Sequence, residues 1–247
     1  MFWQSVHQFD QQLTLTINSW YSAFTDPVWA FFSDKIVWIP MYVALLYMFL
    51  RRYPAVKVLM LLVGSALSIT LADQICASLI RPVVQRLRPS NIDNPLSAFV
   101  HIVNGYRGGA YGFPSCHAAN SFALAIFAAM AIGRRPFTWF IILWAVINSC
   151  SRIYLGVHFP GDLLVGAIIG SIVGLLCYRL AIFSFNAVIR QKPHIADATP
   201  VLAECRWCNS VERYFKPLPT CLKELGAMGF VAFITIMYIL LASVAAA

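Results

Sequence analysis

An all-α, polytopic bundle of about six membrane-spanning helices is the fold class this sequence predicts, from three observations. The chain of 247 residues is 60% hydrophobic and 11% charged, with a mean hydropathy of +0.72, so too little polar surface exists to cover a soluble globule. Apolar runs near the length that crosses a bilayer, about 20 residues, recur along it. The formal net charge of +8 is gathered into connections between those runs, as in loops held on one side of a membrane.

Taken in order, the N-terminal MFWQSVHQFD lacks the basic region and small-residue cleavage site of a signal peptide, and is expected to remain in the mature protein. Segment 11–33 is apolar but interrupted by Asn18, Asp26 and Pro27, which leaves spanning and interfacial placements both open. Spans are expected over 36–50, 57–80, 117–132, 137–150, 162–184 and 227–246. Residues 1–184 then form the membrane domain, 185–226 a basic connecting segment predicted to be cytoplasmic, and 227–247 a C-terminal apolar helix predicted to be transmembrane. No internal repeat, low-complexity tract or heptad pattern is present.

If the spans alternate, Arg51, Arg52 and Lys57, then Arg134 and Arg135, then Arg190 and Lys192 fall on one side, the cytoplasmic one by charge. Arg81, Arg86, Arg88, Arg107 and Arg152 fall on the other, where topology gives no reason for them. They call for an anionic ligand. Cys76, Cys150 and Cys177 lie in apolar stretches and read as packing residues. Cys205 and Cys208 form a CxxC, which Cys221 and His194 would complete as four zinc ligands. Without a second close pair, a solvated segment with incidental cysteines is the favoured reading.

Three short segments at the predicted outer surface carry chemistry. In RPVVQRLRP, Arg81 and Arg88 are seven residues apart, which on a helix puts both guanidinium groups on one face, ready to grip a tetraoxyanion with planar donors. In FPSCH, Pro114 and Ser115 read as a helix start, with the Ser115 hydroxyl and the Cys116 and His117 amides directed at an anion and His117 beside it as proton donor. In SRIYLGVHFPGD, Asp162 lies four residues after His158, within reach of its Nδ1–H, which would leave Nε2 free to attack. Arg152 adds a third guanidinium for charge on a transferring phosphoryl group. Each has an ordinary explanation when taken alone: snorkelling arginines, an interfacial histidine, a capping aspartate. Their order and common side of the membrane make the set specific.

Together they resemble the type 2 phosphatidic acid phosphatase (PAP2) superfamily, whose pattern K-x6-R-P, P-S-G-H and S-R-x5-H-x3-D appears as Arg81-x6-Arg88-Pro89, Pro114-Ser115-Cys116-His117 and Ser151-Arg152-x5-His158-x3-Asp162. The resemblance covers roughly 10–185. It implies a six-span core, a metal-independent site at the outer face without cofactor, His158 as nucleophile, Asp162 as its orienter and His117 as general acid. Arg81, Arg88, Ser115, Cys116 and Arg152 would bind phosphate. Arginine stands at 81 for lysine, and cysteine at 116 for a glycine whose lack of a side chain allows close backbone approach.

Among bacterial members, the stretches 17–42 and 152–162 look most like lipid A 4′-phosphatases and undecaprenyl-diphosphate phosphatases. The expected protein is therefore a multi-pass enzyme of the bacterial inner membrane, with its site on the periplasmic face and a phosphorylated lipid as partner. Neither nucleic acid nor an obligate protein partner is expected. A phosphotransferase passing the phosphohistidine to an acceptor lipid, and a non-enzymatic lipid transporter or scramblase, are the competing readings.

Overall fold

The computed structural model describes residues 2–195, 197–203, 205 and 220–246. Among them the chain is helical, and its one β-contact is an isolated bridge between Leu87 and Tyr111. The elements run α1 (Phe2–Asn18), α2 (Thr25–Ser33), α3 (Ile39–Arg52) and α4 (Ala55–Gln74). A π-helical turn (Ile75–Ile80) leads into α5 (Arg81–Val84), followed by α6 (Cys116–Ile132), α7 (Arg135–Tyr154), α8 (Pro160–Gln191) and α9 (Thr220–Ala246).

Ala55–Val84, Arg135–Tyr154 and Pro160–Gln191 are long and apolar enough to cross a membrane, and the pair Thr25–Ser33 and Ile36–Arg52, bent by 70°, makes a fourth if it is one broken span. The apolar helices Cys116–Ile132 and Val231–Ala245 are shorter. Of the six expected spans, three or four thus meet the length requirement among the described residues. The surface has the polarity of a protein dissolved in lipid: Leu59, Val63, Leu143, Leu164, Ile172 and Leu176 are all exposed, where a soluble bundle would place charge.

The core is built on α6, whose sequence CHAANSFALAIFAAMAI presents small residues on most sides. It packs against α4, α7 and α8. The tightest of these contacts comes from a glycine stripe on α8. A Cβ on Gly166, Gly170 or Gly174 would stand 2.4, 2.1 or 2.5 Å from the carbonyl oxygens of Ser115, Ala119 and Ala123. Glycine at every fourth position is what lets two helix backbones meet in a membrane, where packing rather than water drives association. This contact joins the first turn of α6 to that of α8, and the Ser115 N–H donates to the Asp162 carbonyl at 3.0 Å.

The interruptions in segment 11–33 have a structural purpose. Asn18 Nδ2 donates to the carbonyls of His101 (3.0 Å) and Tyr154 (2.7 Å), and its Oδ1 accepts the His101 N–H at 2.7 Å. Asp26 pairs with His101 Nε2 at 2.7 Å and accepts from the Tyr154 hydroxyl at 2.6 Å. These polar residues clamp α1 and α2 to the long loop 85–113 and to the end of α7.

Basic residues of the opposite end also meet as expected. Arg51 donates to the Leu202 carbonyl, Arg52 to the Ile132 carbonyl at 2.9 Å, and the Tyr53 hydroxyl to the Ala131 carbonyl. Cys205 is disulfide-bonded, so it is not an incidental cysteine of a solvated segment, and its thiolate is removed from any zinc site. Cys208 lies outside the described residues.

Candidate active site

Arg81 follows the π-helical turn directly. Such a turn adds a residue to the α-helical repeat and rotates everything after it about the axis. Arg81 Nη2 then donates to the Pro114 carbonyl at 3.0 Å and to Cys116 Sγ at 2.9 Å. The helix does not continue to Arg88: it stops at Val84, and Gln85 takes a left-handed conformation with φ 48°. The shared helix face expected for Arg81 and Arg88 is therefore replaced by a turn. The two side chains still converge, because 86–88 run extended against 110–112, with Arg88 N–H bonded to the Ala110 carbonyl and Gly112 N–H to the Arg86 carbonyl. Along an extended strand residues i and i+2 share a side. Arg86 accordingly reaches Asp162 and Arg88 reaches His158.

Ser115 is the N-cap of α6, its hydroxyl accepting the Ala118 N–H at 3.3 Å. It is fully buried and stands behind the site, outside the cavity wall. Cys116 opens the helix with ordinary right-handed backbone, since Gln85 and Asn104 are the non-glycine residues with positive φ among those described. The side chain that replaces the family's glycine is thus accommodated, and its sulfur accepts from Arg81. The N–H groups of Cys116 and His117 precede the first intrahelical bond and remain available to an anion.

On the other flank, Arg88 Nη1 donates to His158 Nε2 at 2.8 Å and to the Val157 carbonyl at 2.9 Å. A guanidinium only donates, so Nε2 carries the lone pair and the imidazole proton sits on Nδ1, facing Asp162. That contact, Nδ1 to Oδ2, measures 3.5 Å, longer than a hydrogen bond. The expected Nδ1–H bond is not closed because Oδ2 already accepts the Phe159 N–H at 3.0 Å while Oδ1 accepts from Arg86 Nη1 at 2.9 Å. Asp162 is both the cap of α8 and the residue beside the histidine. Gly112 permits the approach, since a Cβ there would lie 3.1 Å from Asp162 Oδ2 and 3.4 Å from His158 Nδ1.

Arg81, Arg88, Cys116, His117, Arg152 and His158 share the wall of one cavity of about 930 Å³ that runs into the bundle between α3, α4, α6 and α7. The Nε atoms of Arg81, Arg88 and Arg152 and the Nε2 of His117 are buried without a hydrogen-bond partner. Arg152 reaches Ser33 Oγ with Nη1 and the Tyr106 hydroxyl with Nη2 at 3.5 Å. Burial, reinforced by the charges of Arg81 and Arg152, lowers the Arg88 guanidinium to about 10. Burial also pushes His158 down to about 3, with Asp162 pulling it up and Arg88 down. A neutral imidazole with an outward lone pair thus faces a crowd of cations whose mutual repulsion an oxyanion would relieve.

Sequence reading grouped Arg86 and Arg107 with the other arginines and left out Asp10. Arg107 is a loop brace, donating to the Ser90 carbonyl at 2.7 Å. Arg86 is more closely tied to the site: Nη2 bonds Asp10 Oδ2 at 2.6 Å, Nη1 bonds Asp162, and Cζ lies 4.0 Å over the Phe159 ring. Asp10 Oδ1 in turn accepts the Gly161 N–H at 2.8 Å. The arginine inside the spacer of the first motif, QRLRP, was the available signal.

The chain is similar to known proteins in sequence and in fold. The model of the PAP2 superfamily matches residues 58–185. The chain is 51% identical over 172 residues to the lipid A 4′-phosphatase of Bacteroides thetaiotaomicron, covering 70% of this chain and 76% of that protein. It is 33% identical over 177 residues to the lipid A 4′-phosphatase of Porphyromonas gingivalis, covering 71% and 74%. The crystal structure of Aquifex aeolicus LpxE superposes with a TM-score of 0.51 at 24% identity, covering 68% of this chain and 93% of that one, a likeness of fold.

Proposed function

We propose that this chain, which belongs to the PAP2 superfamily, hydrolyses a phosphate from lipid A or undecaprenyl diphosphate by way of a phosphohistidine on His158, with lipid A the first candidate. The relatives named above support that order of substrates. The observation that carries the reaction is the ring of unpartnered guanidinium and imidazole nitrogens around a histidine whose Nε2 lone pair faces them.

In the first step the nonbridging phosphate oxygens take the N–H groups of Arg81, Arg88 and Arg152, and Arg88 gives up its bond to Nε2. Nε2 attacks phosphorus as the ester P–O bond breaks, and His117 supplies the proton that leaves with the alcohol or phosphate oxygen. Asp162 stabilises the Nδ1–H of the charged imidazole. In the second step water attacks the phosphohistidine, gives its proton to His117, and the P–N bond breaks. The positive-inside bias of Arg51, Arg52, Arg134 and Arg190 supports a cytoplasmic placement for that end and a periplasmic placement for the site, in a bacterial inner membrane.

The test is phosphate release by the purified protein from a panel of lipid A, undecaprenyl diphosphate and phosphatidylglycerol phosphate, beside His158→Ala. The variant is expected to lose at least about 10⁴-fold in kcat/KM and to form no acid-labile, alkali-stable phosphoenzyme. Undiminished release from His158→Ala would sink the reading.

A further inference from the structure

Resting on the phosphatase reading, we propose that the polar tier beneath the arginines is a head-group subsite selecting a phosphorylated lipid whose head group also carries hydroxyl or amide N–H donors, as a sugar phosphate does. The tier consists of Asp73, Asn120, Ser121, Asn148 and Trp144, all on the wall of the same cavity. Asn120 follows Cys116 by four residues and Asn148 precedes Arg152 by four. On α6 and α7 that is one turn, about 5.4 Å, further into the bundle.

The polarity of the tier identifies the ligand chemistry. Asn120 Nδ2 donates to Asp73 Oδ1 at 2.9 Å. Turning that amide over would set its carbonyl oxygen against the carboxylate, so Asp73 fixes which atom is left. The atom left is Asn120 Oδ1, buried and without a partner. Asn148 Nδ2 donates to Ser121 Oγ at 2.9 Å, and its buried Oδ1 faces His117. Asn148 as a whole is only 4% exposed. One turn deeper again, Trp144 Nε1 is a buried donor without a partner.

A ligand that satisfies this tier brings a donor, for the Asn120 carbonyl, and an acceptor, for the indole. An ionised phosphate brings acceptors only, and a polyprenyl chain brings neither. A hydroxylated, amide-bearing ring brings both. An acidic side chain inside a membrane bundle is expensive to keep without such a purpose. Beneath the tier the wall turns apolar, with Leu45, Phe49, Leu62 and Leu124, suited to the hydrocarbon of the same lipid. The cavity lies within the size range of sites that hold a small molecule, so a ring and a phosphate fit together.

The experiment measures kcat/KM of the full chain for lipid A, a phosphorylated sugar lipid, and for phosphatidic acid, whose head group is phosphate alone, in the same micelles. Asn120→Leu and Asn148→Leu are compared with wild type. The lipid A to phosphatidic acid ratio is expected to fall by about tenfold or more in Asn120→Leu, because the replaced carbonyl no longer meets a substrate donor, whereas Asn148→Leu, beside His117, should slow release from both lipids alike. Where a leucine variant gives no monodisperse species in detergent, Asn120→Ser and Asn148→Ser repeat the measurement. A ratio unchanged in the folded Asn120 variant overturns the subsite and leaves the phosphatase intact, as does a wild type active on phosphatidic acid alone. Release from neither lipid, nor from undecaprenyl diphosphate, overturns the phosphatase reading and the subsite with it.

Discussion

The two ends of the bundle carry arginine in similar measure and use it in opposite ways. At the end formed by 51–57, 133–135 and 190–203, the guanidinium groups of Arg51 and Arg52 finish carbonyls of other segments, and Lys57 lies 4.2 Å over the Tyr53 ring. At the other end Arg81, Arg88 and Arg152 turn inward and keep Nε atoms buried and unpartnered. Density of positive charge is thus a poor guide to a site. Donors that the fold has desolvated and left unsatisfied are a better one, because their cost is recovered only when an anion arrives.

The widest separation between the ends is expected from paired substitutions. Arg88→Ala removes a guanidinium from the wall around His158 and is expected to lower kcat/KM by about 10²–10³-fold. Arg52→Ala is expected to cost about 1 kcal/mol of stability with kcat/KM unaltered. Equal losses of activity in both would erase the distinction between the ends.

Arg86 sharpens it, since its role is exercised through Asp162. Arg86→Gln is expected to reduce kcat by about 10–100-fold, as for other groups that orient a functional residue, with KM little changed. Its acid limb should move upward in pH, because a carboxylate freed from Arg86 can turn fully to the imidazole and stabilise its protonated form. A loss confined to KM would assign Arg86 to substrate binding instead.

A smaller effect concerns pH in the wild type. His158 is held down to about 3 by burial, so its neutral form persists as pH falls and is lost only near that value. Between pH 6 and pH 4, kcat/KM at saturating detergent should therefore not fall tenfold per unit. A midpoint near 6.5, that of ordinary histidine, would mean a hydrated imidazole. The smallest expected effect is that of excess EDTA, which should leave phosphate release unchanged. Abolition by EDTA with rescue by added metal would contradict the metal-independent mechanism.

Much of the fold was legible because its signals are local. Apolar runs gave the helices, Ser115 marked a helix start, and positive charge sorted the loops. The helix through Arg81 and Arg88 was misplaced because spacing alone cannot register the left-handed turn at Gln85. Asn18 and Asp26 looked like defects in a span since their partners, His101 and Tyr154, are 75 to 136 residues away. The contact of Arg86 with Asp10 and Asp162 was invisible for the same reason, each partner being 76 residues distant.

By itself the sequence determined the medium, the helical class and the residue types of the candidate site, because each follows from composition or from spacing within one turn or loop. Tertiary structure alone decided which nitrogen of His158 holds the lone pair, which arginines face the cavity and which brace the chain. It also set the buried, unpartnered Asn120 carbonyl one turn beneath the arginines. Those are properties of desolvation and of contacts between distant segments, and they exist only once α8 has closed its glycine stripe against α6.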